Sequence, residues 1–168
     1  MASQSSVSGL QFLQGDATHP SEEARPAVIV HVCNDKGKWG RGFVLAVSKR
    51  WWGPERTYLE PFKHTGEKLG IVQFVSVEED LWVANMIAQH GIGTRSRRLQ
   101  YDHLATCLSK VMSWIEERRM CGLDRPITVH MPRIGCGLAG GEWEQVEDIV
   151  RTTLVDQGVA VFVYDFIS

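Results

Sequence analysis

This sequence lacks the features that mark several common protein classes. Its formal net charge of -2 argues against a strongly cationic nucleic-acid surface or a polybasic membrane anchor. No apolar run approaches the roughly 18 residues that span a bilayer, and the polar first nine residues lack the apolar core of a secretory signal. The motifs GxxxxGK(S/T), HExxH and GxSxG are missing, so nothing points to a P-loop NTPase, a zinc protease or a nucleophile elbow.

The four cysteines also exclude certain sites. They are scattered without CxxC spacing, which indicates neither a zinc site nor a disulfide framework. We therefore expect reduced thiols, no bound metal and no membrane association. A monomer in the cytoplasm, or in the nucleus if the source is eukaryotic, fits these features.

The order of apolar patterns predicts an α/β fold. No repeat or linker divides the chain, so we expect a flexible N-terminus over residues 1–9 and one domain over residues 10–168. Alternating or continuous apolar stretches predict strands at 10–14, 27–33, 69–77, 81–89, 127–131 and 159–166. Helical spacing or turn signals predict helices at 44–49, 54–65, 101–119 and 142–156. A mixed β-sheet sandwiched between helices is the expected architecture.

Two glycine-rich stretches follow buried strands and are the strongest candidates for a site. The first glycine loop (residues 34–43, NDKGKWGRGF) carries Asn34 and Asp35, which suit ribose hydroxyls, beside Gly40 and Gly42. The second glycine loop (residues 132–141) precedes a helix, and its exposed main-chain N–H groups suit a phosphate or diphosphate. A tight strand-to-helix turn is the alternative. Ligands bind beyond the carboxyl ends of such strands, so both loops are predicted to face one cleft.

Four segments in this order resemble the macrodomain family. They are GD at 15–16, HVCNDKGKWGRGF at 31–43, MPRIGCGL at 131–138 and VYDF at 163–166. The resemblance covers nearly the whole chain from Leu10 onward. It is greatest to the branch with the terminal ADP-ribose protein glycohydrolase and the macrodomain of a chromatin-remodelling helicase. It implies a three-layer α/β/α fold, ADP-ribose as ligand with no further cofactor, and ADP-ribosylated proteins as partners.

The resemblance also implies a role for particular residues. Asp16 would hydrogen-bond the adenine amine, and Tyr164 would pack against the adenine ring. The diphosphate would meet main-chain N–H groups of the second glycine loop, at Pro132, Ile134, Gly135, Cys136, Gly137 and Leu138. The distal ribose, where a modified protein is attached, would be surrounded by Asn34, Gly40, Arg41, Gly42 and Phe43, with Gln89 nearby.

Two departures from the glycohydrolase branch leave the function open. Its attacking lysine corresponds to Gln89 here, and the acidic residue after its GCGL corresponds to Ala139, so a lysine adduct is not expected. Hydrolysis of ADP-ribose esters of acidic side chains could instead use a water positioned by the substrate diphosphate, with Asp35 as acid or base and Asn34 beside it. The alternative is a non-catalytic reader of mono- or poly-ADP-ribose. A third candidate is an enzyme acting on ADP-ribose 1″-phosphate or an O-acetyl ester.

Several ionisable residues allow both a functional and a structural interpretation. Asp35 could also form a turn, and His90 could be a general base or a loop histidine bonded to main chain. Cys136 could be a nucleophile or simply a small residue, with the small residue favoured. His31 and His130 are expected to be buried and hydrogen-bonded. The basic cluster of Arg95, Arg97 and Arg98 could contact a polymer or be solvated.

Overall fold

The computed structural model describes residues 9–93, 98–137 and 139–166. Its centre is a six-stranded sheet in the order β1-β6-β5-β2-β4-β3. All neighbouring strands are parallel except β3, which runs antiparallel to β4. The strands are β1 (Leu10–Gln14), β2 (Ala27–Asn34), β3 (Val72–Glu78), β4 (Leu81–Gln89), β5 (Thr128–Pro132) and β6 (Val161–Asp165). The predicted mixed sheet is confirmed.

Helices cover both faces of this sheet. They are α1 (Phe43–Arg50), α2 (Gly53–Leu59), α3 (Tyr101–Met120) and α4 (Trp143–Thr153), with short 3-10 turns at Glu22–Ala24, Glu60–Lys63 and Val155–Gln157. α3 and α4 pack together on one face, and α1 and α2 lie on the other. This is the three-layer α/β/α arrangement that the resemblance implied. No described helix is long and apolar enough to cross a membrane.

The continuously apolar sequence of strand β2 is explained by its burial on both faces of the sheet. Val28 and Val30 are fully buried in the core under α3 and α4. Ala27 and Ile29 are equally buried but belong to the core on the α1 side. Because successive side chains of a strand point to opposite faces, a strand covered on both faces needs apolar residues at nearly every position.

Three predicted boundaries were wrong for local reasons. The helix predicted at 54–65 ends at Leu59 and tightens into the 3-10 turn Glu60–Lys63. Pro61 has no N–H to donate to the helix, which accounts for this early end. The strand predicted from residue 69 begins at Val72, after Gly70 takes a φ of 93°. The last helix ends at Thr153, but the predicted stop at Gly158 is confirmed, with a left-handed φ of 88°.

Candidate functional site

A groove runs along the carboxyl edge of the parallel strands and consists of three adjoining cavities. The aromatic cavity, of about 400 Å³, is lined by Asp16, Tyr164 and Phe166 among others. The central cavity, of about 300 Å³, lies between the two glycine loops. The distal cavity, of about 310 Å³, lies at the first glycine loop and the end of β4. Phe43 and Pro132 line both the aromatic and central cavities, and Arg41 and Gln89 line both the central and distal ones.

Most of the residues that the sequence nominated line this groove. Both glycine loops border the central cavity, so the prediction of one shared cleft is confirmed. Asp35 and Cys136 line none of the three cavities, and Leu138 lies outside the described residues. The predicted residues that do line the groove are Asp16, Asn34, Gly40, Arg41, Gly42, Phe43, Gln89, Pro132, Ile134, Gly135, Gly137 and Tyr164.

Asp16 supplies an ionised carboxylate to the aromatic cavity. Its Oδ1 accepts hydrogen bonds from the main-chain N–H and the hydroxyl of Thr18, at 2.8 and 2.7 Å. Burial acts to raise the pKa of Asp16, but these bonds and the neighbouring His19 hold the pKa below its ordinary value. The side chain keeps partial exposure, so a ligand amine can approach it.

The same cavity has two aromatic walls, one of which the sequence analysis missed. The Tyr164 hydroxyl lies 2.8 Å from His130 Nδ1, and burial raises the pKa of Tyr164 to about 12, so the phenol stays neutral. Phe166 lines the cavity although 73 % of its surface is exposed. It follows Tyr164 by two residues at the end of a strand, and this same-face spacing could have predicted it.

In the second glycine loop, two glycines make room for protein rather than for a ligand. A Cβ atom on either Gly135 or Gly141 would lie 2.5 Å from Leu99 Cδ2, and Leu99 is fully buried. Gly137 differs, since a Cβ atom there would meet nothing within 4 Å. Of these three glycines, Gly137 is therefore the one with open space for a ligand, whereas Gly135 and Gly141 are required by the packing on Leu99.

The second glycine loop still presents main-chain donors to the central cavity. Among the described residues, the N–H groups of Ile134, Gly135 and Gly137 donate no hydrogen bond to another main-chain group. Gly42, at a φ of 83°, begins α1 on the opposite side, and Arg41 beside it is exposed. These N–H groups, a helix N-terminus and a guanidinium together favour an anion in this cavity.

The glycine spacing at 135, 137 and 140 also fits GxGxxG, the dinucleotide fingerprint. In that fingerprint the glycines open the helix directly. Here α4 begins only at Trp143, and Gly140 is exposed with a φ of 75°. The loop is consequently longer than a Rossmann turn, although both arrangements leave main-chain donors exposed after a strand.

Cys136 is not an activated nucleophile. Its thiol lies 3.4 Å from the Ile134 carbonyl oxygen, and the pKa of the thiol is raised by burial, which outweighs the opposing charge of Arg133. A thiol of raised pKa supplies little thiolate at neutral pH. The small-residue interpretation of Cys136 therefore agrees with the geometry.

At the distal cavity, Asn34 shapes the first glycine loop. Its Oδ1 accepts from the Lys36 N–H at 2.9 Å, and its Nδ2 donates to the Lys38 carbonyl. The buried Tyr58 hydroxyl donates to Asn34, whose main-chain oxygen is 2.8 Å and whose Oδ1 is 2.9 Å away. Asn34 lines the cavity, but its polar groups are engaged in holding the loop.

Asp35 is turned away from the groove. Its Oδ2 lies 2.7 Å from His90 Nδ1, and its Oδ1 accepts from the Gly91 N–H at 2.8 Å. Burial acts to raise the pKa of Asp35, but the Gly91 and His90 hydrogen bonds and the charges of His90 and Lys36 hold it below its ordinary value. This geometry does not support Asp35 as an acid or base in direct contact with a ligand, because both oxygens are bound by the protein.

The distal cavity is cationic at its rim. Lys38 and Arg41 line it, and no Asp or Glu does so among the described residues. Gln89 reaches both the central and distal cavities, and its Nε2 donates to the Gly91 carbonyl at 3.0 Å. Ala139 is buried against the central cavity. Neither of these two positions supplies an ionisable group.

The two strand histidines are buried and hydrogen-bonded, as predicted. His31 Nε2 lies 2.7 Å from Asn85 Oδ1, and His130 Nε2 lies 2.8 Å from the Thr128 hydroxyl. Burial lowers the pKa of both imidazoles to about 4. Both histidines are therefore neutral at physiological pH and do not serve as charged ligands.

Two further predictions involve charged side chains. Within the described residues, no group of three or more His, Cys, Asp or Glu side chains is placed to hold a metal ion. Arg95 and Arg97 of the basic cluster lie outside the described residues. Arg98 is described, and its main-chain N–H donates to the Ala139 carbonyl at 2.7 Å, which joins this segment to the second glycine loop.

Comparison with solved structures gives matches over almost the full length of the chain. A macrodomain protein from Streptomyces coelicolor is 42 % identical with a TM-score of 0.77, over 94 % of this chain and 99 % of that chain. A protein of unknown function from Bacteroides thetaiotaomicron is 44 % identical with a TM-score of 0.84, over 96 % and 100 % respectively. No family model matches the sequence.

Curated relatives are more distant. The mouse chromodomain-helicase-DNA-binding protein 1-like is 29 % identical over 94 % of this chain, and the match covers 18 % of that protein. The chain thus spans less than a fifth of the length of the first curated relatives it matches. The ADP-ribose 1″-phosphate phosphatase of Candida albicans is 23 % identical, over 84 % of this chain and 92 % of that protein.

Proposed function

The chain belongs to the macrodomain family, and we propose that it binds ADP-ribose along the groove and hydrolyses the ester that joins the distal ribose to an acidic side chain of a modified protein. The observation that carries the binding proposal is the order of chemical groups along the three cavities. Aromatic rings and a carboxylate come first, main-chain N–H donors next, and amide and cationic side chains last. ADP-ribose presents adenine, diphosphate and distal ribose in the same order.

The aromatic cavity suits adenine. The partly exposed Asp16 carboxylate can accept a hydrogen bond from the adenine amine, and Tyr164 and Phe166 offer ring surfaces for the base. Because the pKa of Asp16 is held below its ordinary value, the carboxylate is ionised and accepts this bond throughout the physiological pH range.

The central cavity suits the diphosphate. The N–H groups of Ile134, Gly135 and Gly137 can donate to its oxygens, and Arg41 can neutralise part of its charge. A ligand anchored at the adenine and the diphosphate carries its distal ribose into the cavity lined by Asn34, Lys38 and Gln89.

The distal cavity is where the ester would be cleaved. When the bond at carbon 1″ breaks, negative charge develops on the leaving carboxylate, and the rim cations Lys38 and Arg41 can stabilise it. Relatives named ADP-ribose 1″-phosphate phosphatase act on a group joined to the same carbon, which supports chemistry at this end of the ligand. Gln89 cannot form an imine with the ribose, so water is the nucleophile.

A non-catalytic reader of ADP-ribose is the second candidate. It is favoured by Gln89 and Ala139, since both positions that carry catalytic groups in the glycohydrolase branch are neutral here and border the central cavity. A reader needs the aromatic and central cavities but no base near the distal ribose.

Calorimetry with ADP-ribose tests the binding proposal. Asp16→Ala is expected to weaken affinity about 10-fold or more, since a hydrogen bond to a charged group contributes about 1.5–3 kcal/mol. Asp124→Ala is the control, because Asp124 is exposed and lines a cavity outside the groove. Unchanged affinity in a folded Asp16→Ala variant would reject the adenine assignment.

Release of ADP-ribose from a glutamate-modified protein tests the hydrolysis proposal. The hydrolase interpretation expects multiple turnovers, with free ADP-ribose and unmodified glutamate as products. Tight binding of the modified protein without release would instead establish the reader.

A further inference from the structure

We propose that His90 is the general base of this hydrolysis and that Asp35 positions it. The inference deepens the proposed hydrolase function and rests on it. It arises from a pair of side chains, 55 residues apart in sequence, that the fold brings together just after β2 and β4 end.

Asp35 has the properties of a positioning carboxylate. Its side chain is only 7 % exposed, and both of its oxygens accept hydrogen bonds, from His90 and from the Gly91 N–H. Its own N–H donates to the Gln89 carbonyl at 3.0 Å, so the main chain on both sides of the pair is fixed. A carboxylate held in this way can orient an imidazole and stabilise its protonated form.

His90 has the complementary properties of a base. Its side chain is 58 % exposed, and its Nδ1 lies 2.7 Å from Asp35 Oδ2. With Nδ1–H donating to the carboxylate, the lone pair of the neutral imidazole is on Nε2. The side-chain hydrogen bond that the described residues give this imidazole is at Nδ1, which leaves Nε2 to accept a proton from water.

The position of the pair relates it to the distal cavity. Gln89, directly before His90, lines that cavity, as do Ile92 and Gly93, two and three residues after it. The described lining of the cavity contains no carboxylate and no imidazole, and its one thiol, Cys33, has a pKa raised far above its ordinary value by burial. His90 itself is not part of the described lining, but it lies in the segment between Gln89 and Ile92, which both line the cavity, and it is the imidazole nearest to them in sequence.

Charged groups beside the His90–Asp35 segments come from the first glycine loop and from Arg98. Asp35 and Lys36 belong to the first glycine loop, and the charge of Lys36 acts on Asp35. The Arg98 guanidinium lies close to Gly91, the residue after His90, since a Cβ atom on Gly91 would be 3.7 Å from Arg98 Nη1. The Arg98 carbonyl accepts the His90 N–H at 2.8 Å, which fixes the main chain of the base.

The proposed step balances as follows. A water molecule gives a proton to His90 Nε2 while its oxygen forms a bond to carbon 1″ of the distal ribose. The bond between carbon 1″ and the ester oxygen breaks, and its electron pair leaves with the carboxylate of the modified side chain. The imidazolium then releases its proton to solvent, which gives ADP-ribose and a free carboxylate.

The competing interpretation is that the pair only ties the first glycine loop to the end of β4. His90→Gln separates the two, because the glutamine amide can still donate to Asp35 but cannot hold a proton from water. We expect its kcat to fall about 100-fold or more, with unchanged Tm and ADP-ribose affinity. Asp35→Asn should also lower kcat, since an amide donor at Oδ2 favours the tautomer in which Nε2 carries the proton. His64→Gln, an exposed histidine of the 3-10 turn region, is the matched control and should retain full activity.

The pH profile supplies the second readout. The wild-type profile and the His90→Gln profile are expected to differ in shape, because only the wild type has a base at this position. If His90→Gln keeps the wild-type kcat and profile, the inference is wrong and the hydrolase proposal stands. A parallel loss of Tm and affinity would assign the pair to loop anchoring alone. Binding without release by the wild type would overturn both proposals.

Discussion

In the second glycine loop the missing Cβ atoms of Gly135 and Gly141 let the backbone pack directly on Leu99. In the first glycine loop the conformation depends instead on side-chain hydrogen bonds, from Tyr58 to Asn34 and from His90 to Asp35. Both loops are rich in glycine and border one groove, yet packing holds one and polar contacts hold the other. Removing a glycine from the second loop and removing a hydrogen bond from the first should therefore have effects of different size and cause.

Lowering the pH is expected to cause the largest loss of stability, because a buried histidine lies beside each of the two glycine loops. His31 contacts the Trp39 and Phe43 rings of the first loop, and His130 is bonded to Tyr164 beside the second. Their folded pKa values of about 4 lie below the value of about 6.5 for an unfolded histidine. The unfolded state thus binds more protons between these values, and stability is lost as pH falls through this window.

The loss between pH 7.5 and pH 5 should be about 2 kcal/mol for each histidine. Urea unfolding at both pH values measures it. His130→Gln, which keeps an amide for Thr128 and Tyr164, should remove about half of the pH dependence while His31 supplies the rest. An undiminished pH dependence in that variant would assign the acid sensitivity to other groups.

Gly135→Ala should cause the next largest loss of stability. It tests whether packing on Leu99 holds the second glycine loop. The new Cβ would clash with Leu99 at a φ of 72°, so we expect a loss of about 2–4 kcal/mol in unfolding free energy. Adding Leu99→Ala should relieve part of this loss in a double-mutant cycle.

Gly141→Ala is the matched control for that cycle. Its Cβ would also lie 2.6 Å from the Gly135 carbonyl oxygen, a backbone atom that the Leu99→Ala change does not remove. Equal relief of both glycine variants by Leu99→Ala would contradict the assigned contacts.

Tyr58→Phe tests the polar loop and should have a smaller effect. Loss of the hydroxyl removes the donor to Asn34 and should cost about 1–2 kcal/mol, because Asn34 is buried when its partner is lost. Unfolding free energy and ADP-ribose affinity should both decrease. If unfolding free energy and affinity are both unchanged, the hydrogen bonds of Asn34 to the main chain of Lys36 and Lys38 are sufficient to hold its side chain.

The contrast between the loops also explains what the sequence could predict. Strand β2 follows from its apolar run, and helix α3 from apolar residues at three- and four-residue spacing, because local pattern determines both. The placement of both loops at one edge of the sheet follows because each loop comes after a parallel strand, and parallel strands end at the same edge. These inferences use only neighbours in sequence and the rules of sheet topology.

Contacts between distant segments could not be predicted in this way. Nothing near Gly135 in sequence indicates that Leu99 fills its missing side chain, and nothing near Asp35 indicates that His90 binds it. A glycine in a sequence does not indicate whether the space left by its missing side chain is filled by a ligand or by a leucine side chain. For this reason the sequence identified the two loops but left Asp35 between a catalytic role and a turn, without indicating its contact with His90.

Gly137→Val should have the smallest effect on stability and a large effect on binding. A Cβ at this position meets nothing within 4 Å, and the residue lies outside the left-handed region, so we expect a stability change within about 0.5 kcal/mol. The added methyl groups would occupy the central cavity and cover the N–H donors proposed for the diphosphate. Calorimetry should show ADP-ribose affinity falling more than about 10-fold, a loss of more than about 1.4 kcal/mol, with Gly137→Ala intermediate. Normal affinity in folded Gly137→Val would place the diphosphate elsewhere, whereas a large loss of stability would mean that this glycine, like Gly135, packs against the protein.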